Sequence, residues 1–64
     1  MVVNGEEMNF DERVTIEELL KKLDLNLDKV VVETNLEIVT KEKYNEFVLN
    51  EADKVEIISF VGGG

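Results

Sequence analysis

Neither cysteine nor histidine occurs in this sequence. Without cysteine there is no disulfide staple, no thiolate metal site and no nucleophilic thiol; without histidine the commonest general base and metal ligand is missing. Chemistry is left to carboxylates, hydroxyls, amines and chain ends. Ser59 has no imidazole to activate it, which excludes a Ser-His-Asp arrangement within the chain. Basic residues are scarce: seven against fifteen acidic ones give a net charge of −8, the wrong sign for a phosphate backbone or an anionic membrane surface. No nucleic acid and no membrane are therefore expected as partners, whereas an acidic surface suits plain solubility and a basic groove on another protein equally. No apolar run approaches the roughly 20 residues of a membrane span, and Met1 to Glu6 contains no basic segment leading into an apolar one. The expected setting is cytoplasmic, with a monomer as the default. Length excludes more. A chain of 64 residues is at most one small domain and buries only about 60% of the surface its unfolded form exposes, too little to enclose a catalytic cleft. Acidic pairs such as Glu6 with Glu7 and Glu17 with Glu18 are read as solvated surface, because acid–base work needs one carboxyl desolvated in a pocket.

What is present reads as alternating strands around one helix. Met1 to Val3 is β-prone, and Asn4-Gly5 after it is the strongest two-residue hairpin signal, since a type I′ turn needs positive φ at both central positions. Glu6 to Phe10 is expected to return antiparallel, with Met8 and Phe10 on the apolar face. Thr15 and Glu18 match a capping box, and Val14 and Leu19 have the spacing of its hydrophobic staple. Ile16, Leu19, Leu20 and Leu23 follow at i, i+3, i+4 and i+7 with Glu17, Lys21 and Lys22 opposite, the pattern of an amphipathic helix that should stop near Asp24. The acids of its first turn and the lysines of its last suit the helix dipole.

Asp24-Leu25-Asn26-Leu27-Asp28 superficially resembles an oxygen-rich calcium loop, but Lys29 stands where glycine is required and Asn35 where glutamate is. No metal is expected there, and Leu25 and Leu27 are read as tucking under the sheet. The run Val30, Val31, Val32 predicts a strand buried on both faces or central in its sheet, and we expect the middle strand there. Thr34-Asn35-Leu36 should turn into a short strand over Glu37 to Thr40. Lys41 to Leu49 fits either a helical turn or two or an irregular crossover anchored by Tyr44, Phe47 and Val48. Asn50 to Asp53 reads as a turn, and Lys54 to Val61 as a strand with Val55 and Ile57 on one face and Glu56, Ile58 and Phe60 on the other. The sum is an α+β roll: a mixed sheet of four to five strands with one main helix packed across it.

The sequence ends Gly62-Gly63-Gly64. Taken alone, three terminal glycines are a frayed end. They also lose the most entropy on ordering and carry no side chain, so they suit threading into another protein's narrow channel better than packing at home. Fully extended, three residues reach about 10 Å. A terminal carboxylate is inert as an acylating group until transfer of an adenylyl group from ATP makes it a mixed anhydride open to a sulfur or amine nucleophile.

The order of these features resembles the ThiS-like sulfur carriers of thiamin biosynthesis, a family of ubiquitin-like β-grasp proteins. The resemblance is carried by Asn4-Gly5, by Thr15 to Leu20, by the valine strand with Thr34-Asn35, by Asp53 to Ile58 and by Phe60-Val61-Gly62-Gly63-Gly64. It departs at Leu36, where the family often has glycine, and at Ala52-Asp53, where it often has Gly-Asp; both bear on turn geometry.

The resemblance implies a β-grasp domain over 1–61 with a flexible glycine tail over 62–64, and a carrier rather than an enzyme. An adenylating enzyme of the ubiquitin-activating type would activate the Gly64 carboxylate. Sulfur from a cysteine desulfurase or another persulfide donor would make it a thiocarboxylate for thiazole synthase. No bound cofactor is implied, because the ATP is the partner's. Gly62 and Gly63 would thread into the partner; Ile58, Phe60 and Val61 are the expected docking residues, apolar on a face expected to be wet, with Phe60 folded into core as the opposite expectation. A carrier for molybdopterin or tRNA thiolation, or a ubiquitin-like docking domain never activated at its terminus, are the competing readings.

Overall fold

The computed structural model describes residues 1–60, so the expectations for Val61, Gly62, Gly63 and Gly64 lie outside the described residues. Asn4 and Gly5 have φ of 49° and 83°, the two positive values of a type I′ turn. The turn joins β1 (Val2–Val3) to β2 (Glu6–Glu7) in antiparallel register, Val2 opposite Glu7 and Val3 opposite Glu6. The expected strand through Phe10 is cut short. In this register only Met1 is left to face Met8, whose amide donates to the Met1 carbonyl at 2.8 Å, and the chain then leaves the sheet with Met8 and Phe10 half-buried against the core.

The helix α1 (Ile16–Lys22) is fixed at its start by donors that are all accounted for. Thr15 Oγ1 accepts from the Glu18 amide at 3.1 Å, and Glu18 Oε1 accepts from the Thr15 amide at 2.8 Å, the reciprocal capping box. These hydrogen bonds hold the Glu18 carboxyl below its ordinary pKa, the Thr15 backbone amide contributing most. The two remaining first-turn amides find backbone partners in the later crossover: Ile16 donates to the Phe47 carbonyl at 3.0 Å and Glu17 to the Tyr44 carbonyl at 2.9 Å. The helix closes with Asp24 at φ 58°. Leu25 and Asp24 amides donate back to the Leu20 and Lys21 carbonyls at 2.9 and 3.1 Å, a Schellman ending with aspartate in the place glycine usually takes.

A 3-10 turn at Leu27–Lys29 leads into β3 (Val30–Thr34), which turns through Asn35 and Leu36 into β4 (Glu37–Val39). Asn35 and Leu36 both have positive φ, 51° and 71°, so this is a second hairpin of the primed kind, with leucine at a position that disfavours a side chain. The crossover is irregular with one 3-10 turn, Lys41–Lys43. It then runs beside the helix entrance, where Thr15 and Val48 form an isolated bridge and the Leu49 amide donates to the Val14 carbonyl at 2.8 Å. The last strand, β5 (Lys54–Ser59), completes a five-stranded sheet in the order β2-β1-β5-β3-β4.

The middle strand is therefore β5 and not the valine run. β1 pairs with β5 in parallel, Val2 opposite Lys54 and Val3 opposite Val55, while β3 pairs with it antiparallel from Val30 opposite Ser59 to Thr34 opposite Val55. Nor is the valine run buried on both faces. Val30 and Val32 are buried and Val31 only half-buried, because a single helix covers a single face of the sheet. Beneath that face Ile16, Leu19 and Leu20 pack with Val3, Val32, Val55 and Leu49, all 2% exposed or less. Tyr44 and Val14 belong to the same buried cluster, and Leu25 and Leu27 pack half-buried against it.

Leu36 is 86% exposed, so its side chain contributes no packing while its backbone sits in the left-handed region. Leu36→Gly is expected to raise stability by about 1 kcal/mol, the left-handed penalty less the extra unfolded-state freedom of glycine, measured by urea denaturation. Unchanged or lower stability would mean that the turn holds leucine without strain.

Candidate functional site

Function is expected from the sequence at the outgoing end of β5, and there the structure describes a strand paired on both edges. Residues 54, 56 and 58 of β5 point away from the helix, as do Val31 and Glu33 of β3 and Ile38 of β4; in the burial pattern their neighbours are the buried ones. Ile58 lies opposite Val31, and Glu56 opposite Glu33, which in turn faces Ile38. Ile58 and Phe60 are 52% and 48% exposed. Neither is core, so the alternative that Phe60 folds over the helix edge or a neighbouring loop as ordinary core is overturned. Val61, Gly62, Gly63 and Gly64 lie outside the described residues. Pairing continues through the last described residue, the Phe60 amide donating to the Lys29 carbonyl at 3.0 Å.

Two residues that hold this strand were read from the sequence only as turn formers. β1 ends at Val3, which leaves the outer half of β5 without a backbone partner on that edge. The Asn4 side chain takes over. Its Nδ2 donates to the Ile57 carbonyl at 3.2 Å, and its Oδ1 accepts from the Ile57 amide at 2.7 Å, in line with the Asn4 amide's own bond to the Val55 carbonyl at 2.9 Å. Asn35 does the same for the inner end from the other side. Its amide donates to the Lys54 carbonyl at 2.8 Å, its Oδ1 accepts from the Lys54 amide at 3.0 Å, and its Nδ2 donates to Asp53 at 3.0 Å. An Asn-Gly or Thr-Asn turn announces a bend; that its carboxamide also completes a ladder with a strand 53 residues away for Asn4 and 19 for Asn35 leaves no local trace.

Among the described residues no cluster of three or more His, Cys, Asp or Glu is arranged to hold a metal ion, and no helix is long and apolar enough to cross a membrane. Among them the Glu18 carboxyl is clearly displaced from its usual range, and its displacement comes from helix capping at the surface. The described site is thus a presenting surface: an exposed, partly apolar sheet face, rigidly tied up to Phe60, with acids beside it.

This geometry has known counterparts. The ThiS family model matches residues 1–64. A thiazole synthase of Paramagnetospirillum magneticum is 50% identical over 64 residues, which are 100% of this chain and 20% of that protein; the chain thus spans about a fifth of that relative. A sulfur carrier protein ThiS of Bacillus subtilis is 41% identical over 63 residues, 97% of this chain and 96% of the relative. The crystal structure of the thiamine biosynthesis protein (ThiS) from Geobacter metallireducens superposes with a TM-score of 0.82 at 33% identity, covering 98% of this chain and 96% of that one.

If the Asn4 carboxamide is what ties down the outer half of β5, Asn4→Ala is expected to speed hydrogen exchange of the Ile57 amide at least about tenfold, with the Val32 amide nearly unaffected. Equal acceleration at both, read by NMR, would mean that the whole fold had loosened and that no local clamp exists.

Proposed function

The chain belongs to the ThiS family, and from that premise we propose that it is a sulfur carrier of thiamin biosynthesis whose working group is the Gly64 carboxylate. The observation that carries this reading is the match to the Bacillus sulfur carrier along nearly the full length of both chains. The relative named thiazole synthase, in which the matching segment forms about a fifth of the protein, favours thiazole formation over molybdopterin or tRNA thiolation.

In this reading the molecule divides into a folded body, 1–61, and a tail, 62–64. A carboxylate oxygen of Gly64 attacks the α-phosphorus of ATP in an adenylating enzyme of the ubiquitin-activating type, and pyrophosphate leaves. The resulting acyl-adenylate is a mixed anhydride, so a sulfur nucleophile adds at the carbonyl carbon and AMP departs. With free hydrosulfide the product is the thiocarboxylate directly; with a persulfide from a cysteine desulfurase, cleavage of the S–S bond by a thiol releases it. Thiazole synthase then receives the sulfur. The carrier contributes no catalytic group and holds no cofactor; its part is to dock and to deliver. Gly62 and Gly63 suit a channel too narrow for side chains. Ile58 and Phe60, with Val61 following, supply the apolar contact that aligns the tail, consistent with their half-exposed positions on the open sheet face.

Incubation with such an adenylating enzyme, ATP and sulfide is expected to add about 16 Da at Gly64, oxygen exchanged for sulfur, seen by intact mass spectrometry and absent after removal of Gly63-Gly64. No mass change with competent enzymes, alongside a complex indifferent to tail removal, would replace this reading with that of a docking domain. Alanine at both Ile58 and Phe60 is expected to weaken binding to the enzyme about tenfold or more with little loss of stability. Unchanged affinity with reduced stability would return both side chains to a packing role.

A further inference from the structure

The first hairpin turn joins an electrophile to a nucleophile. An asparagine side-chain carbonyl carbon can close a five-membered ring with the backbone nitrogen of the next residue, and glycine, with no Cβ, hinders that attack least. Of the six asparagines Asn4 alone precedes glycine; Asn35, in the same kind of primed turn, precedes leucine. Gly5 is exposed, and a Cβ placed there would meet nothing within 4 Å. Among the described residues its amide makes no backbone hydrogen bond, so the nucleophile is free. What holds the reaction back is the electrophile: the Asn4 carboxamide is turned to the Ile57 backbone by both its polar atoms, at 3.2 and 2.7 Å. Those two bonds are also the ones that tie down the outer half of β5.

We propose that Asn4 is a site of spontaneous deamidation, and that the modification is a one-way release of the outer half of β5. When the strand opens at Ile57 and frees the carboxamide, the Gly5 nitrogen gives up its proton to water and bonds to Asn4 Cγ. The Cγ–Nδ2 bond breaks, ammonia leaves with a proton from water, and a succinimide has closed. A second water then adds to either ring carbonyl. Opening at Cγ gives aspartate; opening at the Asn4 backbone carbonyl gives isoaspartate, whose side-chain methylene has joined the main chain. Neither product remakes the clamp. A carboxylate only accepts, so an oxygen faces the Ile57 carbonyl where Nδ2 had donated. Isoaspartate also spoils the two-residue turn that sets Val2 opposite Glu7 and Val3 opposite Glu6. Each product adds a negative charge to a chain already at −8. The helix cap and the core cluster contain neither Asn4 nor Gly5, so the change stays local. Leu36 keeps Asn35 out of the same chemistry, although leucine strains that turn. The site stands on neighbouring residues, turn and hydrogen bonds, and is independent of the carrier reading.

The test ages the full chain at neutral pH, folded and in urea, and follows each asparagine by peptide mass spectrometry. Isoaspartate is detected separately, by transfer of a labelled methyl group from S-adenosylmethionine with a protein-isoaspartate methyltransferase. In the folded chain Asn4 is expected to convert at least about tenfold faster than any other asparagine, and faster still in urea, where Ile57 no longer holds it. The purified converted chain is expected to exchange its Ile57 amide at least about tenfold faster than the fresh chain, with the Val32 amide nearly unchanged. Asn4→Asp is expected to do the same without ageing. Leu36→Gly, which puts glycine after the second clamping asparagine, is expected to bring Asn35 into reaction. An Asn4 that stays intact in the folded chain while converting in urea overturns the proposal. So does a converted chain whose Ile57 amide exchanges as before or only in step with Val32, and so does an Asn35 that keeps pace with Asn4 while Leu36 is in place.

Discussion

The backbone of β5 hydrogen-bonds along both edges, parallel to β1 on one side and antiparallel to β3 on the other, and both ends of the chain's described course are drawn into that ladder. β1 is only two residues long and could not by itself hold a six-residue strand. The deficit is met by asparagine side chains. A carboxamide offers the same donor and acceptor as a peptide unit, so Asn4 extends the β1 edge at Ile57 and Asn35 secures the start of the strand at Lys54. Each of these asparagines also stands at positive φ in a primed turn, a conformation asparagine tolerates better than most residues. One residue type thus serves local bend and distant pairing together. Buried backbone groups cannot be left unpaired without a cost comparable to a lost hydrogen bond, and this is how a short β1 avoids it.

The helix depends on the same economy of partners. At seven residues it is far too short to persist alone. Its first-turn amides are taken by Thr15 Oγ1 and by the Tyr44 and Phe47 carbonyls, so an irregular crossover with little regular structure of its own becomes the helix cap. The crossover is held in return by the buried Tyr44 and Leu49. Helix, crossover and sheet therefore share one thin core.

That construction uses the two faces of the sheet differently. The helix takes one face of the sheet for the core, and the other is left open with Ile58, Phe60, Ile38 and the Glu33–Glu56 pair. Backbone pairing up to Phe60 gives this face a defined geometry up to the last described residue, next to the glycines that the sequence sets at its end. In the proposed carrier role, such fixed presentation would lower the ordering cost of docking.

The elements governed by neighbours in sequence were legible without a structure. The capping box and staple fixed the helix start, its i, i+3, i+4 stripe identified Ile16, Leu19 and Leu20 as core, and Asn4-Gly5 set the first hairpin, because each of these is a short-range consequence of hydrogen bonding or periodicity. The alternation of β5 correctly separated Val55 and Ile57 from Ile58 and Phe60. What only the tertiary structure decided was long-range pairing. That β5 and not the valine run lies at the centre, that β2 stops at Glu7, that Asn4 and Asn35 close the ladder, and that Glu33 faces Glu56 across two strands all depend on which segments meet. Strand pairing is made by backbone groups that every residue carries, so the partner is chosen by the fit of the whole sheet and helix, and no single stretch of sequence records it.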